Sequence, residues 1–223
     1  ASGTLDLSMN HGSATKVEVA AFSEKTSATK DYQVAEGDTT NDLNITSMAL
    51  STNATLKDLG GNAPAQLVPT TTLDANKAIK VDGNRPAVMK ISSTSPAGYY
   101  KVGSTIPIVL YFTEAVNTTA ANIITGTLET GSANADATVV FPAVSNGTSV
   151  PKDYVVREND FNSSLTMNTI AVAGGQRVND LVGNRMQNAQ KAVPSGKNLA
   201  DQVVDIFVDG VLPVDDGTAI TMT

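Results

Sequence analysis

The chain has 223 residues and a formal net charge of −7, with 41% hydrophobic residues, 17% charged residues and no cysteine. This length allows two modules of ordinary domain size, each with its own core. The acidic balance and the lack of a basic stripe argue against a nucleic-acid-binding protein, and no apolar run is long enough to span a membrane.

The first part of the chain consists of short apolar segments separated by polar turns. Alternation of apolar and polar residues predicts strands at residues 4–9 and 16–22, and shorter strands at residues 31–34 and 78–81. Residues 64–72 are predicted to form a loop. The predicted inward positions of the first two strands are Leu5, Leu7, Val17 and Val19.

The clearest strand signal lies in the segment from Gly98 to Val116. Its residues alternate from Ile106 onward, which places every second side chain on one face. The predicted inward residues are Ile106, Ile108, Leu110 and Phe112. Because no other segment has a helical period with caps, and turn signals recur at short intervals, the patterns favour an all-β fold of antiparallel sandwiches.

The second half of the chain repeats the first. Residues in the middle of each half match without gaps at a separation of 122 positions, and after an insertion the match continues at 127 positions. At the start of each half, Thr4-Leu5 resembles Thr127-Leu128, a separation of 123 positions. Such a repeat predicts two copies of one module. The matched pairs include Tyr32 with Tyr154, Asp38 with Asp160, Leu43 with Leu165, Asp58 with Asp180, Val81 with Val208 and Gly83 with Gly210.

Four short motifs follow one another in the second half. They are Gly98-Tyr-Tyr-Lys-Val-Gly103, Phe112-Thr-Glu-Ala-Val116, Asp180-Leu-Val-Gly-Asn184, and Val208-Asp-Gly210 followed by Pro213. Together they resemble the Ig-like β-sandwich repeats of large bacterial surface proteins and adhesins, over nearly all of residues 87–213 and the later part of residues 1–86. The motifs are structural, so the resemblance implies a scaffold and no particular chemistry. Two positions depart from the family pattern: Ser104 replaces an Asp, and Pro107 removes a backbone N–H from the strand.

The sequence thus predicts two tandem Ig-like modules of unequal completeness. Residues 1–85 form an incomplete module, residues 86–213 a complete one, and residues 214–223 a C-terminal donor strand. About forty residues lie between Pro86 and Thr127, whereas three precede Thr4, so the opening strands of the first module have no sequence to form them. A sandwich without those strands exposes unpaired backbone and an apolar groove.

The last seven residues resemble the start of the strand that begins near Gly103. Gly217 corresponds to Gly103 and Ile220 to Ile106. The two predicted inward side chains are Ile220 and Met222. Burial of each in an acceptor groove stabilises the contact by about 1.5–3 kcal/mol. Since the connector at residues 213–216 is short, donation to a neighbouring subunit is favoured over donation within the chain. The predicted donor residues are Thr218, Ile220, Thr221 and Met222, and the acceptor residues are Leu5, Leu7, Val17 and Val19.

Catalytic chemistry has little support in the sequence. His11 is the single histidine, and its setting in Met9-Asn-His-Gly12 predicts a hairpin turn. No phosphate loop, dinucleotide motif or hydrolase elbow is present, so we expect no enzyme activity and no required cofactor. Tyr99, Tyr100 and Tyr111 are interpreted as packing residues, which disfavours a carbohydrate-binding accessory module.

Calcium is the ligand that best suits the acidic residues near the predicted module junctions. Ca²⁺ takes carboxylate and carbonyl oxygens from loops, and in the repeats that the chain resembles, junction Asp residues and the Glu of the Phe-x-Glu motif can bind it. The alternative is that Asp-Gly and Asp-Asp pairs are only good turn formers. The candidate ligands are Asp82, Asp209, Glu114, Asp215 and Asp216.

These observations predict a structural protein at the cell surface. The absence of cysteine, the many small polar residues and the start Ala1-Ser2-Gly3 suit a secreted mature chain, so we expect an extracellular location. The expected function is head-to-tail polymerisation by donor-strand complementation, because a contact that does not close generates a filament. The alternative is an adhesive or ligand-binding segment of a giant surface protein, with a surface glycan as its target.

Overall fold

The structure is a computed structural model that describes residues 3–13, 16–131, 133–201 and 205–213. Over these residues the chain is mostly β-strand with short helical turns, which confirms the predicted all-β class. None of the described helices has the length and hydrophobicity needed to cross a membrane. The boundary between two compact units lies between Asn84 and Arg85.

The first unit contains two small antiparallel sheets. One has the strand order β2-β1-β4, and the other pairs β3 with β5. A four-residue helix, α1, follows the predicted loop at residues 64–72 and was not predicted. The elements are β1 (Thr4–Met9), β2 (Val17–Ala20), β3 (Thr39–Thr40), β4 (Ile45–Leu50), α1 (Leu73–Asn76) and β5 (Val81–Asp82).

The second unit has three sheets around one core. The strands are β6 (Val88–Ser93), β7 (Gly98–Lys101), β8 (Thr105–Thr118), β9 (Ile124–Glu129), β10 (Thr138–Phe141), β11 (Gly147–Val155), β12 (Phe161–Asn162), β13 (Thr166–Val172), β14 (Val178–Asp180) and β15 (Ile206–Asp209). The sheet orders are β11-β8-β14, β10-β9-β13 and β12-β15-β7, and β6 also pairs with β8. Only the β15–β7 pair is parallel among the described strands.

Strand β8 is the centre of the second unit. It pairs with β11, β14 and β6, and its alternate side chains point into the core. Ile106, Ile108 and Leu110 have no exposed surface, and Phe112 is also buried, so the predicted inward face is confirmed. A strand of this length, with partners on both sides and one face fully buried, organises the packing of the whole unit.

The two units share their strand registers. β1 pairs with β4 as β9 pairs with β13, and each ladder contains a bulge with one extra residue, Thr46 in β4 and Asn168 in β13. These two residues are 122 positions apart. The pair β3–β5 likewise has the register of β12–β15. Because a one-residue slip would turn every side chain to the other face, matching registers and a matching bulge mean that both units use one framework.

The equivalence predicted for the first strand is wrong. Leu5 pairs with Leu50, and the counterpart of Leu50, Val172, pairs with Ile124. Leu5 therefore corresponds to Ile124, at a separation of 119 positions rather than 123. The physical reason is that three more residues separate equivalent paired positions in the second unit, where Gly126 pairs with Val139, than in the first, where Leu7 pairs with Val17. A similar Thr-Leu dipeptide concealed this difference.

The predicted strand at residues 31–34 is also wrong, and two others are shorter than predicted. Residues 31–34 have no strand pairing, although their counterparts at 153–156 include the end of β11 and pair there with β8. An apolar pattern forms a strand only where a partner accepts its backbone hydrogen bonds. The described residues of the first unit supply no such partner to this segment.

Candidate functional site

The site is an unpaired edge in the first unit. In the second unit, β8 lies between β11, where Ile106 is opposite Tyr154, and β14, where Val116 is opposite Asp180. The counterparts of these flanking segments are residues 30–34 and 56–58, which we call the open edge. No described residue of the first unit forms a ladder with either segment.

Apolar side chains at the open edge are exposed, whereas their counterparts are buried. Val34 is 47% exposed, and its counterpart Val156 is 1% exposed. Leu56 is half-buried, whereas Val178 is buried. The matched pairs Leu43 with Leu165 and Val81 with Val208 are buried in both units, whereas Met9 and Ile45 on the β1–β4 sheet are half-buried and their counterparts Leu128 and Met167 are buried. The first unit therefore buries its apolar side chains less fully than the second, both at the open edge and on the β1–β4 sheet.

A depression lies beside this edge and is lined by Thr4, Leu5, Val19, Phe22, Leu50 and Leu56. Two of the predicted acceptor residues, Leu5 and Val19, thus line it. Val17 lines a second groove together with Lys30 and Tyr32 of the open edge. Leu7 is half-buried on β1 and lines neither depression.

The apolar residues Val34, Leu56 and Phe22, at or beside the open edge, were not among the predicted site residues. Each could have been found by applying the repeat separation of 122 positions, because their counterparts are the apolar residues Val156, Val178 and Val144. All three counterparts are buried in the second unit.

A buried carboxylate anchors one end of the open edge. Asp38 is 1% exposed, and its Oδ2 accepts hydrogen bonds from the Tyr32 hydroxyl at 2.6 Å and from the Ala35 N–H at 2.9 Å. Burial by itself raises the pKa of the Asp38 carboxyl, but the hydrogen bonds that it accepts and the nearby imidazole of His11 outweigh burial and lower the pKa to about 2. The ionised Asp38 therefore holds Tyr32, a residue of the open edge, in place.

The second unit has the same anchor with a different side chain beside the carboxylate. The Tyr154 hydroxyl donates to Asp160 Oδ2 at 2.7 Å, and the Arg157 guanidinium forms an ion pair with Asp160 at 2.8 Å. Burial opposes ionisation of Asp160, yet the hydrogen bonds from Arg157 and Tyr154 lower its pKa. In the first unit Ala35 stands in place of Arg157, and His11 lies against Asp38 instead.

His11 lies in the predicted β1–β2 hairpin, but its side chain is fully buried and stacks on Tyr32 with ring centroids 5.0 Å apart. Asp38 Oδ1 and Ser13 Oγ both lie near its Nδ1, at 3.0 Å and 3.1 Å. A Ser-His-Asp relay needs these two groups on opposite ring nitrogens. Since both contact Nδ1, the cluster has the geometry of a structural anchor rather than of a nucleophilic relay.

Two of the predicted calcium ligands accept hydrogen bonds within turns. Asp82 Oδ1 accepts the Asn84 N–H, and Asp209 Oδ1 accepts the Val211 N–H, each at 3.2 Å, which is the turn-forming alternative. Asp215 and Asp216 lie outside the described residues. Glu114 lies on β8. Calcium binding stays a prediction.

One further acidic residue of the second unit lies near Glu114. A carboxylate oxygen of Asp180 is within 4.8 Å of one of Glu114. Asp180 accepts hydrogen bonds from the N–H groups of Val182, Gly183 and Asn184, so its carboxylate organises the Asp180–Asn184 turn. The sequence had singled out this residue only as part of a turn motif.

The interpretation of Tyr99 as a packing residue is wrong. Tyr99 is 80% exposed and stacks on Phe207 of the neighbouring strand with ring centroids 4.8 Å apart. It points outward because β7 alternates, and the adjacent Tyr100 packs against the core instead. Phe161, on β12 of the same sheet, is also exposed.

The predicted donor residues Thr218, Ile220, Thr221 and Met222 lie outside the described residues. Comparison of the chain with protein families, with curated proteins and with solved structures finds no match. The role of the open edge is therefore inferred from the internal repeat, in which the second unit supplies the reference for the first.

Proposed function

We propose that the chain is an extracellular structural subunit that polymerises head to tail. Residues 217–223 of one copy add as a strand to the open edge of the first unit of the next copy. The observation that carries this proposal is the contrast between exposed Val34 and buried Val156, which lies beside the start of β8. An edge with unpaired backbone and exposed apolar residues is a template for strand addition.

The donor segment has the residue pattern of the strand that buries the equivalent edge. Ile220 and Met222 correspond to Ile106 and Ile108, which have no exposed surface in the second unit. Their burial contributes about 1.5–3 kcal/mol each, and each strand hydrogen bond adds about 0.5–1.5 kcal/mol. These gains offset the loss of translational and rotational freedom on association.

In this proposal both units are Ig-like β-sandwiches, the first completed by the donated strand. The shared registers of the two units and the turn formed by Asp180–Asn184, which recurs at Asp58–Asn62, support a repeated module. A segment that precedes residue 1 in a longer chain is the rival occupant of the open edge.

Deletion of residues 214–223 tests the proposal in the otherwise full chain. We expect the 223-residue chain to form filaments in negative-stain electron microscopy and large species in light scattering, and the deletion to leave a folded monomer. Filaments that persist after the deletion would overturn the proposal, and so would a full chain that stays monomeric at all concentrations.

Matched point variants distinguish strand addition from the general effect of an added charge on solubility. Ile220→Asp and Val34→Asp each place a carboxylate in the proposed interface, where burial of an unpaired charge costs several kcal/mol, so assembly should weaken by about a hundredfold or more. Ala219→Asp and Gln33→Asp add the same charge one residue away on the outward face, at positions whose counterparts Thr105 and Val155 are exposed, and should assemble far better. Equal loss in both sets would contradict the proposed interface.

The second candidate is an adhesive segment of a giant surface protein. The exposed Tyr99–Phe207 pair and the exposed Phe161 favour it, because aromatic side chains on a sheet face are suited to contact with a surface ligand such as a glycan. In that case the full chain stays monomeric in the same light-scattering measurement. Binding to a glycan panel should then fall in the Tyr99→Ala variant.

A further inference from the structure

We infer that the donated segment docks in one register, with Thr221 opposite Asp31, Ile220 opposite Tyr32 and Met222 opposite Lys30. This inference rests on the proposed function and specifies its contact surface. It also places the segment on one half of the open edge, beside residues 30–34, and leaves the other half, at residues 56–58, uncovered by residues 217–223.

The register follows from the framework that the two units share. In the second unit Ile106 is opposite Tyr154, Pro107 opposite Asp153 and Ile108 opposite Lys152. The flanking residues correspond to Tyr32, Asp31 and Lys30 at the constant separation of 122 positions, and the β-strand residues correspond to Ile220, Thr221 and Met222. Because β1–β4 and β3–β5 keep the registers of their counterparts, the position of β8 can be transferred residue by residue.

The backbone hydrogen bonds at the start of β8 constrain the register independently. The Gly103 N–H donates to the Val156 carbonyl at 2.9 Å, and the Val156 N–H donates to the Ser104 carbonyl at 3.0 Å. Gly103 has a φ of +82°, which favours glycine. The donor segment carries Gly217 at this position, so the same reciprocal pair of bonds is available between Gly217-Thr218 and Val34.

The correspondence with β8 determines which half of the open edge residues 217–223 cover. β14 pairs with Asn117 and its neighbours near the far end of β8. Residues 217–223 correspond only to residues 103–109, so they do not extend to the positions opposite residues 56–58. The depression beside Leu56 is therefore not filled by this segment.

Disulfide trapping tests the register because the chain contains no cysteine of its own. Pro107 has no N–H, so its pair with Asp153 is of the non-hydrogen-bonded type, in which side chains are closest and a disulfide forms most readily. Asp31 is exposed, and its counterpart Asp153 is exposed as well. We expect the double variant Asp31→Cys with Thr221→Cys to give a ladder of covalent oligomers on non-reducing gels after mild oxidation.

The control places one cysteine two residues away on the same face, in Gln33→Cys with Thr221→Cys, and at least about tenfold less ladder is expected. Mixing the two single variants Asp31→Cys and Thr221→Cys should give only covalent dimers, which distinguishes contact between copies from contact within one chain. If filaments form but the ladder appears only with Gln33→Cys and Thr221→Cys, or with neither pair, the register is wrong. The proposed function would still stand in that case. Absence of both filaments and ladders would overturn both.

Discussion

Val156 is buried beside the start of β8, whereas Val34, its counterpart in the first unit, is 47% exposed. The two units nevertheless agree in strand register, in the position of a bulge and in a buried Asp–Tyr anchor. The comparison teaches that the framework of this module does not depend on β8. It forms from β1, β2 and β4 with the β3–β5 pair, and in the second unit β8 adds a strand whose inward side chains are buried.

The anchors show a second difference, in the side chain that contacts the equivalent buried carboxylate. Asp160 forms an ion pair with Arg157, whereas Asp38 lies against His11, the single histidine of the chain. An unpaired buried carboxylate is costly, and each unit supplies a partner from a different part of its chain. In the first unit that partner comes from the β1–β2 connection.

The largest expected effect is common to both units. A Cβ on Gly83 would collide with the carbonyl oxygen of Ala35, and a Cβ on Gly210 with that of Arg157. Because backbone cannot yield as a flexible side chain can, Gly83→Ala and Gly210→Ala should each destabilise their own unit by about 3 kcal/mol. Amide hydrogen exchange of the full chain can assign the loss to one unit.

Gly174→Ala is the matched control, since a Cβ there meets no atom within 4 Å, and it should leave exchange unchanged. If Gly83→Ala and Gly210→Ala behaved like this control, the shared framework inferred from the registers would be contradicted.

The next effect should differ between the units. Val156→Ala removes buried methyl groups and should destabilise the second unit by about 2 kcal/mol. Val34→Ala changes an exposed side chain and should shift the stability of the first unit of the monomer by less than about 0.5 kcal/mol. Chemical denaturation of the deletion chain that lacks residues 214–223, followed by exchange or fluorescence reporters in each unit, measures both. A similar cost at both positions would mean that Val34 already packs in a core.

The smallest effect is the acid dependence of the anchors. The Asp38 pKa is about 2 in the folded chain, below the ordinary value of 3.8. Because the pKa is lower in the folded chain, the ionised Asp38 stabilises the fold at pH values above 3.8. This stabilisation is lost as pH falls from about 4 towards 2. The first unit should lose exchange protection in this window, and Asp38→Asn, already less stable at neutral pH, should lose less. An identical acid profile in the variant would show that Asp38 is not the titrating group.

Some features of this protein could be predicted from local pattern alone. The alternation from Ile106 to Phe112 predicts the buried face of β8, and residues 4–9 coincide with β1. The repeat separation of 122 positions matches Asp38 with Asp160 before any contact is known. These predictions succeed because period and turn chemistry are properties of neighbouring residues in the chain.

Other features depend on what lies across from a residue in space. The segment at residues 31–34 has the pattern of a strand but is unpaired, and His11 in a polar turn is fully buried against Asp38. The true counterpart of Leu5 emerged only from its ladder with Leu50. Sequence by itself determined the class, the repeat and the inward faces, whereas the tertiary structure decided which edge is open, because burial and pairing are set by partners that are distant in the chain.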